Sequence, residues 1–256
     1  MALFCNETGS GFPLIIMHGL FGQSDNWVTL GRKYGEHFHV YMPDMPNHGR
    51  SPHYDDLSYP FMAQEVLEFM DQRGLEQAHI IGHSMGGKIA MQLAVTRPER
   101  VSRLVVADIG PKAYPVHHQT IILALQHIDT AALKSRGEAE DTMIAYGLDQ
   151  GTRQFLLKNL YWKEPERLDW RFNLPVIAAQ ITEVGKPLQA GTHYDGPALF
   201  IRGGRSGYVQ DEDMNGIRSH FPQAVLETVE GAGHWLHAEK PQDFYDKTLA
   251  FLSVQQ

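Results

Sequence analysis

The stretch Gly82-His83-Ser84-Met85-Gly86 follows a short apolar run, Ala78-His79-Ile80-Ile81, and precedes a helical pattern over residues 88–96. A strand, a sharp turn and a helix in that order make a nucleophile elbow. Glycine at 82 and 86 removes the Cβ atoms that would collide where the backbone reverses, so the serine between them can hold a strained conformation with its hydroxyl projecting outward. Ser84 is therefore the candidate nucleophile.

Away from the elbow, β-rich runs alternate with helical patterns. Residues 13–17, 38–42 and 78–81 read as strands, with a helix over 59–72 between the last two. After Ser84, residues 103–107, 198–201 and 225–229 read as strands, and 211–220 and 242–252 as helices with polar starts. Such alternation predicts a mostly parallel central sheet flanked by helices on both faces, an α/β fold. Residues 111–190 differ. They carry helical patterns over 119–127, 136–147 and 153–160, then Trp170-Arg171-Phe172-Asn173, and no strand is expected among them. The expected organisation is a core of residues 1–110 and 191–256 with a helical cap, 111–190, lying over the carboxyl ends of the strands where ligands bind in open α/β sheets.

Composition narrows the function. The 256 residues are 43% hydrophobic and 20% charged, which suits a globular chain. A formal charge of −8 without a run of Lys and Arg argues against nucleic acid and anionic lipid surfaces as partners. The start Met1-Ala2-Leu3-Phe4-Cys5-Asn6-Glu7 has no basic segment leading into an apolar one, and no stretch reaches the roughly 18 apolar residues of a spanning helix. A cytoplasmic protein with no membrane insertion is expected. The single cysteine, Cys5, reads as a small packing residue. Histidine pairs such as His117-His118, His37/His39 and His48/His53 lack the helical spacing with a nearby Glu used by zinc hydrolases, so no metal is expected. Gly203-Gly204-Arg205-Ser206-Gly207 lacks the Gly-Lys-Ser/Thr ending of a phosphate loop.

A serine hydroxyl needs a base, and the base needs an acceptor that fixes its tautomer. His234, in Gly231-Ala232-Gly233-His234-Trp235 after the last expected strand, is the candidate base, and it comes late in the chain as the order Ser, acid, His requires. The glycine-rich loop over 203–207 holds no acid. Asp211 and Asp213 follow it but read as helix-capping and first-turn acids. Asp108, at the end of the strand beside the nucleophile strand, is the candidate acid. Oxyanion donors are expected from the amide of Met85, the residue after the nucleophile, and from His18-Gly19-Leu20-Phe21-Gly22, with Phe21 the candidate and Leu20 the near alternative. His18 itself reads as a loop-fixing hydrogen bonder. Apolar residues of the insertion, among them Phe155, Leu156, Leu160, Tyr161 and Trp162, suit an acyl pocket, and their spacing equally suits the insertion's own core. Leu20, Phe155, Tyr161 and Trp162 are the expected substrate contacts.

With these residues placed, the chain resembles the α/β-hydrolase superfamily over nearly its whole length. His18-Gly19-Leu20-Phe21-Gly22, Asn47-His48-Gly49, Gly82-His83-Ser84-Met85-Gly86-Gly87-Lys88, Trp170-Arg171-Phe172-Asn173 and Gly231-Ala232-Gly233-His234-Trp235 together resemble the bacterial YbfF-type esterases. The resemblance implies a capped serine esterase for short- to medium-chain acyl esters or acyl-CoA thioesters, with the acid at Asp108; since the histidine that activates the serine also activates water, no cofactor is expected. Pro46 stands where that family more often has a basic residue, and the short segment before Pro13 raises the expectation of a missing edge strand. An acyl-serine route predicts a rate that rises with pH near the reference histidine pKa of about 6.5. Thioesterase, carbon–carbon bond hydrolase and perhydrolase chemistry use the same triad, and a ligand receptor on this fold is the alternative from another class.

Overall fold

The structure, a computed structural model, describes residues 2–254. Its core elements before the insertion are β1 (Cys5–Gly9), β2 (Pro13–Met17), α1 (Val28–Tyr34), β3 (His39–Pro43), α2 (Tyr59–Gln72), β4 (Ala78–His83), α3 (Met85–Thr96) and β5 (Val101–Ala107). The insertion contributes α4 (Gln119–His127), α5 (Arg136–Ala145), α6 (Gln150–Leu157), β6 (Leu160–Glu164), β7 (Arg167–Trp170) and α7 (Leu174–Ala179). The chain then returns to the core with β8 (Ala198–Gly203), α8 (Met214–His220), β9 (Ala224–Val229), α9 (Leu236–Glu239) and α10 (Pro241–Leu252).

The main sheet runs β1-β3-β2-β4-β5-β8-β9. Every neighbouring pair is parallel except β1 with β3. Every residue of β4 and β5 is buried, as central strands covered on both faces require. Alternation along the strands divides the core into two layers. Ile15, Met17, Ile80 and Val106 face α2 and α3, whereas Leu14, Ile16, Ile81 and Val105 face α1 and α10. Ser58 caps α2 by accepting the Phe61 amide, and Pro60 occupies its first turn, where a missing N–H costs nothing. The β4–β5 register pairs Gly82 with Val106 and His83 with Ala107, so both strands end level and Ser84 emerges beside Asp108.

Three expectations are corrected. The edge strand is present: β1 pairs antiparallel with β3 from Cys5↔Pro43 to Gly9↔His39, and its polar sequence carries no alternation that would have marked it. Residues 111–190 hold a β-hairpin, β6–β7, rather than helices alone. It turns at Glu166, whose φ of 63° lies in the left-handed region. The helical pattern over 153–160 stops at Leu157, after which Leu160 points inward and Trp162 outward.

Candidate active site

Ser84 has φ 53° and ψ −117°, a strained conformation for a residue with a side chain. Its neighbours enforce it. A Cβ at Gly82 would lie 2.2 Å from the Gly86 carbonyl oxygen, and one at Gly86 would lie 2.4 Å from that of Met17, so the turn closes only with glycine at both places. The Ser84 amide donates to the Ala107 carbonyl at 3.0 Å, fastening the elbow to the end of β5.

His234 Nε2 lies 3.1 Å from Ser84 Oγ, and His234 Nδ1 lies 2.7 Å from Asp108 Oδ2. Asp108 is fully buried, and its φ of 52° turns the carboxylate back across the strand ends. The ionised carboxylate accepts the Nδ1 proton, which leaves the Nε2 lone pair facing the serine hydroxyl. Two further donors hold the acid: the Gly203 amide reaches Oδ1 at 3.0 Å, and the Ser206 hydroxyl donates to Oδ2. The loop 203–207, which lacks an acid, thus supplies the donors that fix the Asp108 carboxylate at the end of the neighbouring strand. Gly203 must lack a Cβ, because one there would lie 2.2 Å from the Gly233 carbonyl oxygen in the histidine's own loop. Tyr208 stacks on His234 with centroids 4.1 Å apart, and the His83 ring donates Nε2–H to the His234 carbonyl at 2.9 Å. Burial, with His237 and His234 nearby, holds His83 well below the usual histidine range, so it stays neutral.

The loop 18–22 is a turn closed by the Gly22 amide on the Gly19 carbonyl at 2.9 Å, with Phe21 at φ 58°. Among the described residues, the amides of Leu20, Phe21 and Met85 donate to no group, which leaves them available to a bound oxyanion. His18 braces this loop from beneath. Its Nδ1–H donates to the Gly19 carbonyl at 2.8 Å while Nε2 accepts the Met45 amide at 2.9 Å, and burial lowers its pKa to about 4. The insertion braces it from above: Asn159 Nδ2 donates to the Phe21 carbonyl at 2.8 Å, and Phe172 meets the Phe21 ring edge-on at 5.0 Å. Asn173 joins Asn47 through its amide, 2.8 Å from the Asn47 carbonyl, and through its side chain at 3.0 Å.

A cavity of about 240 Å³ opens over Ser84 and His234, with Leu20 and Phe155 in its wall. Tyr161 and Trp162 stand elsewhere. Tyr161 lies under the Arg171 guanidinium at 4.3 Å and Trp162 is 53% exposed, because the hairpin carries both away from the cavity that a continued helix would have faced. Asp211 pairs with Arg202 at 2.7 Å and Asp213 with Lys112 at 2.6 Å, so neither reaches the histidine. Burial pushes the Cys5 thiol up to about 12, which makes it a poor nucleophile. Among the described residues, no three His, Cys, Asp or Glu side chains gather in a metal-binding group, and no helix is long and apolar enough to cross a membrane. The residues that sequence reasoning missed are Ser206, Tyr208, His83 and Asn159. A hydroxyl in an acid-free loop was the one available signal, since a buried carboxylate on the next strand needs donors.

A family model of the alpha/beta hydrolase fold matches residues 13–132. Esterase YbfF of Escherichia coli (strain K12) is 38% identical over 232 residues, covering 90% of this chain and 88% of that protein. The chain is an α/β hydrolase. This α/β hydrolase is also 39% identical to the sn-1-specific diacylglycerol lipase ABHD11 of Mus musculus over 94% of its own length and 80% of the relative's. Among solved structures, a marine microorganism esterase superposes with a TM-score of 0.94 at 43% identity, covering 98% of this α/β hydrolase and 99% of that chain.

Proposed function

We propose that this α/β hydrolase is a serine esterase acting on small-molecule acyl esters through an acyl-serine intermediate. One observation carries the reading: Asp108, His234 and Ser84 stand in series at 2.7 and 3.1 Å beneath a cavity, with unengaged amides beside the nucleophile. His234 takes the Ser84 proton as Oγ attacks the ester carbonyl, and the Met85 and Phe21 amides hold the oxyanion. The alcohol leaves with the proton from His234. Water, deprotonated by the same imidazole, then releases the acid and restores Ser84. Every proton in this cycle is carried by His234 or water, so no cofactor enters it. The names of the relatives, an esterase and a lipase, support ester over thioester, carbon–carbon or peracid substrates. In this reading residues 111–190 act as the cap that closes over the ester, Leu20 and Phe155 contact it, and the enzyme works in the cytoplasm.

Intact-mass analysis after treatment with a fluorophosphonate, together with p-nitrophenyl ester turnover, tests the proposal. A single adduct on Ser84, with both adduct and turnover abolished in Ser84→Ala, is the expected result. A protein that neither labels nor turns over any ester would be a receptor on this fold instead.

A further inference from the structure

Two cavities of very different size meet at Ser84. The first, about 240 Å³, is walled by His234, Leu20, Ile121, Phe155, Trp27 and Trp235. The second, about 30 Å³, adjoins it at Ser84 and is walled by Met85, Ile109, Tyr59, Tyr114, Val116 and Val184. Ser84, His118 and Tyr208 border both, whereas His234 borders only the first.

The chemistry of the tetrahedral intermediate assigns each half of an ester to one of these spaces. The carbonyl carbon bonds to Ser84 Oγ and its oxygen turns toward the free amides, so the acyl chain and the alkoxy group must leave the carbon in different directions. The alkoxy oxygen has to receive a proton from His234 Nε2, so that group lies on the side His234 borders. The acyl chain is left with the small cavity. On the same measure it is about 30 Å³ against about 240 Å³, so it admits a much shorter chain than the first cavity does. Its walls are tied in place. The Tyr59 hydroxyl donates to the Val184 carbonyl at 2.8 Å, the Tyr114 hydroxyl donates to the Tyr208 carbonyl at 2.8 Å while accepting the Gly110 amide at 2.8 Å, and the Tyr114 amide donates to the Gly185 carbonyl at 2.9 Å.

We propose that this enzyme selects esters of a short-chain acid with a larger, apolar alcohol, the reverse of a long-chain acyl hydrolase. The assignment rests on the esterase reading above. The test compares kcat/KM, which reports acylation alone, in two substrate series on the parent protein: p-nitrophenyl acetate, propanoate, butanoate and hexanoate, and then ethyl, butyl, hexyl and octyl acetate. A drop of at least tenfold from acetate to hexanoate, with a rise of at least threefold from ethyl to hexyl acetate, is expected. Val116→Ala and Val184→Ala each take two methyl groups from the small cavity, and each should raise the butanoate-to-acetate ratio about fivefold. A parent that prefers hexanoate to acetate overturns the assignment, and so does a ratio that neither folded variant moves. Should no ester react and Ser84 resist the fluorophosphonate, the esterase reading itself fails; Ser84-dependent turnover with a long-acyl preference removes only the assignment of the two cavities.

Discussion

Asp108→Asn separates the acid's electrostatic role from its structural one, because the structure dictates how the amide must sit. Asparagine has the same shape, and at a fully buried position its orientation is set by the donors around it. The Gly203 amide points at Oδ1 from 3.0 Å, so the side-chain carbonyl has to stay there; a flip would oppose two N–H groups at a cost of about 1–3 kcal/mol. The NH₂ group then occupies the Oδ2 position, 2.7 Å from His234 Nδ1 and beside the Ser206 hydroxyl, which can accept in turn. Donation into Nδ1 forces the proton onto Nε2. That N–H faces Ser84 Oγ across 3.1 Å, and the base is blocked while the fold is kept. In other Ser-His-Asp triads this reversal costs about 10⁴ in kcat, or about 5.5 kcal/mol of transition-state stabilisation. We expect a loss of that order in kcat/KM for p-nitrophenyl acetate, an equally slowed fluorophosphonate reaction, and an unchanged circular dichroism spectrum. A variant within tenfold of the parent, with Asp211→Asn instead inactive, would refute the assignment of the acid.

Other perturbations test the groups around the triad. Ser206→Ala removes one of the three donors to the buried carboxylate; at about 1.5 kcal/mol it should lower kcat/KM roughly tenfold, measurable by the same assay. Asn159→Ala frees the Phe21 carbonyl, and misplacing an oxyanion donor should cut kcat about tenfold while leaving KM within twofold, as read by steady-state kinetics. Lys88 is buried, and desolvation lowers its pKa to about 7. The unfolded chain keeps that proton to near 10.5, so between pH 7 and 10.5 the unfolded state binds more protons and stability rises with pH. Urea unfolding at pH 7.5 and 9.5 should therefore show the parent gaining about 2 kcal/mol relative to Lys88→Met; equal pH dependence in the two proteins would show that Lys88 is not desolvated.

The parts of this molecule legible in its sequence are those where one local rule acts alone. Burial of β4 and β5 on both faces shows in their consecutive apolar residues, Ile80-Ile81 and Leu104-Val105-Val106-Ala107, and the elbow needs glycine at 82 and 86 for steric reasons contained within five residues. Asp108 was accessible by elimination, because the loop after β8 has no acid, and the order of strands does the rest. Where the structure departed, two rules competed. Residues 153–162 carry helical spacing, yet the chain leaves the helix after Leu157 and pairs Leu160 with Trp170 across the hairpin, a long-range choice that no local window contains. β1 is legible only through its partner, since its five residues have neither alternation nor apolar content to announce it.

Lys88 and Asn159 also show how unevenly the insertion is fastened. Lys88 Nζ, on α3, donates to the Lys112 carbonyl at 2.6 Å and the Lys186 carbonyl at 3.0 Å, joining the segment that enters the insertion to the segment that leaves it. Its later half is held too. Asn159 bonds Phe21, Asn173 bonds Asn47, and Gln180 accepts the Leu57 amide while donating to the Asp55 carbonyl. Among the described residues, 119–157 makes no hydrogen bond or ion pair to the core. It rests there on apolar contacts, such as Phe155 against Trp235 at 5.7 Å. Nondirectional contacts tolerate sliding far better than a hydrogen bond tolerates stretching. That half also carries Ile121 and Phe155, which wall the large cavity, whereas the small cavity is closed by Val184 and Tyr114 at the stapled hinges. The side of the site open to a variable group is the side built to yield, and the side that measures a short chain is the side built to hold still.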